Sequence, residues 1–329
     1  MPDLYDVAAI GNAIVDVIAP CGEGFLVDER LDKGAMTLID EARAETLYGV
    51  MGQAIEASGG SAANTMAGVA SLGGRAAYIG KVARDTLGGV FAHDISAIGV
   101  TYATAPLEAG AATARCLINV TPDGQRTMCT FLGASVHLTP DDVDPALIEG
   151  ARITYLEGYL FDPPDARRAF AKAAGLARAS SRLIALSLSD AFVVDRHRAG
   201  LLGFVESEVD VLLANEAEIK SLFETDDFDA AVRALRGRVG LAAVTRGADG
   251  SVVVAGDEIH AAPAMPVEKV VDTTGAGDQY AAGFLLGLAT GRPLPLCARL
   301  GSVAAAEVIS HYGPRPQTSL KDLALKAGL

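Results

Sequence analysis

The chain has 329 residues, half of them hydrophobic, with 36 glycines, no tryptophan and a formal net charge of −14. That acidity argues against DNA, RNA and anionic membranes as partners, although it leaves room for a nucleotide at a local anion site. Length and composition suit one soluble α/β unit with many tight turns, and no run of about 18 uninterrupted apolar residues offers a membrane span.

The opening "MPDLYDVAAIGNAIVDV" has no basic region and only a short apolar run, so no signal peptide is expected. "YDVAAIG" reads as a buried strand closed by Gly11, and "NAIVDVIAP" continues it with Asn12 and Asp16 on one side. "KGAMTLID" and "EARAETLYGVM" read as a strand and an amphipathic helix. "SGGSAANTMAGVASLGG" reads as a glycine turn before a helix of small residues, "AAYIGKV" as a strand, and the segment ending at Gly99 as a helix. "TARCLINVTPDGQRTMCTFLG" alternates around Asp123 and Gly124, a hairpin signal. Then strands are predicted at Ile153–Leu156, Leu183–Ser187, Val211–Ala214 and Ala242–Thr245. Helices are predicted at Asp165–Ser180, Asp195–Glu206, Glu216–Phe223 and Phe228–Val239. Such alternation means a mostly parallel sheet between helix layers, a three-layer α/β/α fold. "SVVVAGDEIHAAP" reads as a closing hairpin, with final helices at Gly277–Thr290 and Leu294–Ser310. We expect one domain over residues 1–329. Segments of approximately 12–40 and 110–133 break the alternation and are expected to form a small β lid. The cysteines Cys21, Cys116, Cys129 and Cys297 have no zinc-type spacing and read as reduced thiols of a cytoplasmic protein.

The densest chemistry lies in "VVDTTGAGDQYAAGFLLG", Val270 to Gly287. Gly275, Ala276 and Gly277 stand at the start of a helix, where unpaired N–H groups and the helix dipole favour an anion. Asp278 there is an ordinary first-turn residue, but a proton acceptor beside an anion turn is also what phosphoryl transfer to an alcohol requires. Asn215 followed by Glu218 has the spacing of a capping box. Thr245, Gly247 and Gly250 follow a strand at its C-terminal end, where open α/β sheets bind ligands; a turn into the hairpin accounts for them equally.

"DTTGAGDQYAAGF" and "SGGSAANTMAGVASLGG" resemble the two signatures of the PfkB, or ribokinase, family of sugar and nucleoside kinases. "GNAIVD", "NEAE" and "VTRGADGS" resemble further family segments in the same order, so the likeness covers nearly the whole chain. It implies a ribokinase-like fold with a β lid and an ATP- and Mg²⁺-dependent kinase. Asp278 would be the base and Gly275, Ala276 and Gly277 the anion hole. By the same resemblance Asn12, Asp16, Gly59, Gly60, Asn64 and Glu157 would hold the substrate. Asn215, Glu218, Thr245, Gly247 and Gly250 would lie around ATP, with Mg²⁺ held through phosphates and water near Asn215 and Glu218. Asp272, Thr274 and Gly313 resemble positions that hold K⁺. Arg126, read at the tip of the lid hairpin, is either a solvated arginine or the lid arginine that nucleoside kinases of the family swing onto the phosphate.

"DERLDKGAMTLID" and "TARCLINVTPDGQRTM" look most like adenosine-kinase-type members, which phosphorylate the nucleoside 5′-hydroxyl. Tyr159, Leu160 and Phe161 are then expected to stack the base. Glu157 stands where sugar kinases place a sugar-binding carboxylate, so a free sugar is the rival substrate. A ligand-binding regulator without chemistry is the rival class, and the intact "GAGD" speaks against it. A Walker motif, a dinucleotide fingerprint, HExxH and GxSxG are absent from the sequence. Monomer and homodimer stay open, because lid strands can close on one subunit or pair across two.

Overall fold

The computed structural model describes residues 4–329; Met1 to Asp3 of the N-terminal segment read above lie outside them. The chain runs β1 (Tyr5–Ile10), β2 (Ile14–Pro20), α1 (Glu23–Asp28), β3 (Met36–Leu38), α2 (Glu41–Val50), β4 (Ile55–Gly59), α3 (Ser61–Ser71), β5 (Ala76–Ile79), α4 (Thr86–Ala97) and β6 (Val100–Tyr102). It continues through β7 (Ala114–Val120), β8 (Arg126–Phe131), α5 (Pro145–Glu149), β9 (Ala151–Glu157), α6 (Pro164–Ala179), β10 (Leu183–Ser187), α7 (Ala191–Glu208), β11 (Val211–Asn215), α8 (Glu216–Leu222) and α9 (Phe228–Leu235). It closes with β12 (Leu241–Thr245), β13 (Ser251–Ala255), β14 (Glu258–Ala262), α10 (Ala276–Ala289), α11 (Leu294–Val308) and α12 (Leu320–Lys326).

Nine strands form one sheet in the order β14-β13-β12-β11-β10-β9-β1-β5-β6. Every neighbouring pair is parallel except the β12–β13 and β13–β14 hairpins at one edge. Val7 and Ala9 of β1 face a core built with α3, α10 and α11, while Ala8 and Ile10 face a second core built with α6, α7 and α9. Burial on both faces is why the strands read as continuous apolar runs. Because β1, β9, β10, β11 and β12 run parallel, their C-terminal ends bring Asn12, Glu157, Ser187, Asn215 and Thr245 to one edge.

The second sheet has five strands in the order β3-β8-β7-β2-β4. It draws on the two segments that break the alternation and also on Ile55–Gly59, which sequence reasoning did not assign to it. β2 and β7 pair in parallel, and β7 and β8 form the expected hairpin, turning at Gly124 with φ +83°. Helix α7 starts four residues before the predicted Asp195, capped by Asp190 accepting from the Phe192 amide. His197 leaves helical geometry inside it at φ −124°, so α7 is two helical segments joined at a kink. Helix α9 stops at Leu235 instead of Val239, because Gly237 takes φ +73°. Among the described residues no helix is long and apolar enough to cross a membrane.

Candidate active site

The turn into α10 is built around Gly275, which caps the helix at φ +79°. A Cβ there would lie 2.6 Å from Pro314, so both conformation and packing require glycine. As the second and third residues of the helix, Gly277 and Asp278 have amides with no carbonyl one turn back to bond. A Cβ on Gly277 would meet nothing within 4 Å, so the approach to these amides is open. The turn can therefore hold an anion such as a phosphoryl group.

Helix α3 delivers its own start to the same place. Gly60 caps it at φ +93°, with the Asn12 carbonyl 2.1 Å from where a Cβ would sit. From α3, Ser61 Oγ donates to Asp278 Oδ1 at 2.7 Å and Asn64 Nδ2 donates to Asp278 Oδ2 at 3.3 Å. Surrounding protein strips water from the Asp278 carboxyl and pushes it up to about 6, against the lowering effect of those two donors. A carboxylate in that range is ionised at neutral pH yet is a better base than an exposed one.

Asp16 is buried on β2 and accepts no hydrogen bond among the described residues. Burial raises it to about 6, opposed by the charges of Arg315 and Arg126. Gly59 gives it room, since a Cβ there would lie 2.4 Å from its carboxyl. Beside it, Asn12 Oδ1 is buried without a partner among the described residues. Glu157 is differently employed: it accepts from the Asn12 amide at 3.2 Å, Asn12 Nδ2 at 2.8 Å and the Ala62 amide at 2.8 Å. Burial pushes Glu157 up to about 7. It ties β9, β1 and α3 together at the cavity wall.

Asn215 and Glu218 form the expected capping box: Asn215 Oδ1 accepts from the Glu218 amide at 2.9 Å and Glu218 Oε2 from the Asn215 amide at 3.0 Å. Both line the cavity with Thr245, and burial raises Glu218 to about 7. Gly247 is exposed and lies outside that lining, as does Gly250. Gly250 has φ +82° and packs on the Ala262 carbonyl, which explains its glycine by the β14 edge.

Arg126 is not at the hairpin tip. It begins β8, is buried, and places Nη2 2.8 Å from Asp272 Oδ2, with its guanidinium 5.8 Å from the Tyr312 ring centroid. Its Nε and Nη1 have no hydrogen-bond partner among the described residues. Asp272 Oδ1 also accepts from the Thr274 amide and hydroxyl, and Oδ2 from the Gly313 amide, so these three residues do converge. Leu160 and Phe161 do not reach the cavity: both are buried in the core with α6 and α7, and only Tyr159 of the three lines it. Sequence reasoning missed Ser61, which lay inside the quoted glycine turn, and Arg315, for which no local pattern gave a signal.

Asp16, Asn64, Glu157, Glu218 and Asp278 border one cavity of about 620 Å³, whose lid side carries the apolar Ile14, Met36, Leu38, Ile118, Met128 and Leu132; Arg126, Asp272 and Arg315 lie outside its lining. A sequence profile described as pfkB family carbohydrate kinase matches residues 40–321. The chain is 53% identical to the adenosine kinase from Sinorhizobium meliloti, with TM-score 0.91 over 98% of this chain and 99% of that one. It is 49% identical to a probable sugar kinase from Rhizobium etli, with TM-score 0.92 over 100% and 99%. It is 27% identical to the adenosine kinase of Saccharomyces cerevisiae over 93% of this chain and 95% of the relative. With a profile match over most of its length and an anion turn facing a carboxylate, the chain belongs to the pfkB family of carbohydrate kinases, phosphotransferases that act on an alcohol.

Proposed function

We propose that the protein is an adenosine kinase that moves the γ-phosphoryl group of ATP to the nucleoside 5′-hydroxyl, giving AMP and ADP. The observation that carries the nucleoside over a free sugar is the apolar wall on the same lid sheet as Asp16, where Leu38 shares its cross-strand row. Met36 and Leu38 are 50% and 57% exposed there, and Phe192 on the cavity rim is 74% exposed. A base covers such surface, whereas a hexose or pentose alone leaves it wet. Asp16 and the unpaired Asn12 Oδ1 are acceptors suited to the ribose hydroxyls. Asn64 donates toward the same end, and Gly59 and Gly60 keep the backbone close. Asp278 takes the 5′-hydroxyl proton as the oxygen attacks phosphorus, and the amides at Gly275, Gly277 and Asp278 hold the phosphoryl oxygens, while that of Ala276, expected to join them, donates to the Thr273 carbonyl at 3.2 Å. The ends of β11 and β12, with Asn215, Glu218 and Thr245, face the ATP phosphates, and Gly247 and Gly250 flank them.

No group of three or more His, Cys, Asp or Glu among the described residues could hold a metal. That suits Mg²⁺ held by phosphates and water, with Asn215 and Glu218 as its outer partners; when bound it neutralises phosphate charge. For K⁺, the carbonyls of Asp272, Thr274 and Gly313 accept no backbone hydrogen bond among the described residues, so oxygen donors are available beside the anion turn. The four thiols are free, as in the reducing cytoplasm.

The test follows ADP release with ATP and Mg²⁺ over a panel of nucleosides and free sugars, with KCl present or replaced by LiCl. Adenosine is expected to turn over fastest, and faster with K⁺. Faster turnover of ribose or fructose overturns the substrate, and tight adenosine binding without turnover overturns the enzyme in favour of a regulator.

Arg126 is assigned to the transferring phosphate, reached by leaving Asp272 when the lid closes. Arg126→Ala is expected to lower kcat by roughly 10–10²-fold with a smaller change in the adenosine KM. Asp272 keeps its Thr274 and Gly313 donors, so the fold should survive. A change confined to KM would make Arg126 a ground-state contact.

A further inference from the structure

Residues Gly313, Pro314 and Arg315 follow α11 and clamp the anion turn from outside. The Gly313 amide donates to Asp272 at 3.1 Å, the Pro314 carbonyl accepts from Gln279 Nε2 at 3.0 Å, and Pro314 packs against Gly275. Arg315 then reaches across the site, its side chain only 17% exposed. Its Nε donates to Asn64 Oδ1 at 3.2 Å and its Nη1 to Asp94 Oδ2 at 3.0 Å. Asp94 is itself held by the Ser58 amide at 2.8 Å and by the Ser58 hydroxyl. A chain of contacts thus runs from β4 and α4 through Arg315 to α3, and from Asn64 to Asp278 on α10.

The chemistry of this chain admits one orientation. A guanidinium has only donors, so it can face only the oxygen of the Asn64 amide. An ionised Asp278 has only acceptors, so it can face only the nitrogen. An asparagine without such neighbours can turn its amide over, and here that would set its oxygen against the Asp278 carboxylate. We propose that Arg315 is a positioning residue for phosphoryl transfer: it locks the Asn64 amide so that its nitrogen faces Asp278 and the acceptor hydroxyl. This rests on the reading of Asp278 as the base. Asp94 is the anchor that keeps the guanidinium plane in place. The arginine's reach is geometric as well as electrostatic, because its two donors engage two acceptors from different elements at once.

The test is a double-mutant cycle on the full chain. Arg315→Met is expected to lower kcat by about 10–10²-fold, through loss of alignment, with the ATP KM little changed. Asn64→Ala lowers kcat on its own, and adding Arg315→Met to it is expected to change kcat by no more than about threefold. Arg315→Lys keeps the charge but replaces the planar fork, which meets Asn64 and Asp94 through separate nitrogens, by one ammonium, so it is expected to recover only part of the loss. Guanidinium added to Arg315→Met should restore some turnover without raising Tm. Effects of Arg315→Met and Asn64→Ala that multiply, full activity in Arg315→Lys, or a change in KM alone each overturn the proposal. If Arg315→Met does not fold, the cycle is run with Arg315→Lys: non-additive loss with Asn64→Ala supports the proposal and multiplying loss sinks it. Normal turnover in Asp278→Asn would remove the base reading itself; a slow Asp278→Asn beside multiplying Arg315 and Asn64 effects would remove only the positioning role.

Discussion

Asp278→Asn is expected to turn over about 10²–10⁴-fold more slowly than the native enzyme, because the amide cannot take the hydroxyl proton. Its geometry is otherwise preserved: Ser61 and Asn64 still have an oxygen and a nitrogen to meet, and asparagine keeps the first-turn position. The sign of the stability change follows from the raised carboxyl. Its folded value of about 6 exceeds the ordinary 3.8, so its contribution to stability is fully present below the ordinary value and lost as pH rises through about 6. At neutral pH the native protein therefore carries an unfavourable desolvated charge that asparagine lacks. The variant's Tm should hold or rise at pH 7.5, and the difference should shrink as pH falls toward 4. ATP binding should hold or tighten, since a negative charge beside the phosphate has gone. For the native enzyme, kcat/KM should fall below about pH 6 as Asp278 and Asp16 take up protons. Measuring kcat, Tm and ATP affinity on one preparation separates a base from a mere helix residue, which would give near-normal turnover.

Why was so much of this site legible in the chain, and the rest not? Period and run length give the strands, because β1, β9, β10, β11 and β12 are buried on both faces and alternate with helices. Gly60 and Gly275 betray their turns, since both take positive φ where neighbouring backbone leaves no space for a side chain. Those features are local, and local chemistry is what a sequence displays. Arg315 is the contrary case. Its partners Asn64 and Asp94 lie 251 and 221 positions away, so nothing near it in the chain signals the contact. Arg126 misled for a related reason. A polar residue just after an Asp-Gly turn reads as solvated, but the lid folds it onto Asp272, 146 positions further along the chain. Leu160 and Phe161 were apolar residues beside the site, and apolarity alone does not say which of two surfaces they cover. The core behind β9 claimed them, and the lid strands supplied the cavity wall instead.

Asp16→Ala is expected to weaken adenosine binding by about 2–3 kcal/mol, roughly 30–150-fold in KM, with kcat at saturation little altered. The loss follows from what the carboxylate lacks. It is buried, yet it takes no hydrogen bond from the described residues, and only the charges of Arg315 and Arg126 offset its desolvation. Two vacant acceptor oxygens facing a cavity match a pair of adjacent ribose hydroxyls, each of which donates one proton. Remove the carboxylate and both hydroxyls enter the cavity poorly paired, which is where the loss arises. The same logic fixes a second measurement. With native protein, 2′-deoxyadenosine should bind more weakly than adenosine; with Asp16→Ala the two should bind nearly alike, because the partner of the 2′-hydroxyl has gone. The pH dependence must agree in sign. Protonation turns one oxygen into a donor, so the native adenosine KM should rise as pH falls through about 6, while the KM of Asp16→Ala stays flat there. Stability should not suffer, since a carboxyl raised from 3.8 to about 6 is a net burden on the fold at neutral pH. If instead deoxygenation at the 2′-position weakens binding equally in both proteins, Asp16 is not the partner of the ribose hydroxyls, and its buried charge serves to hold Arg315 and Arg126 in place.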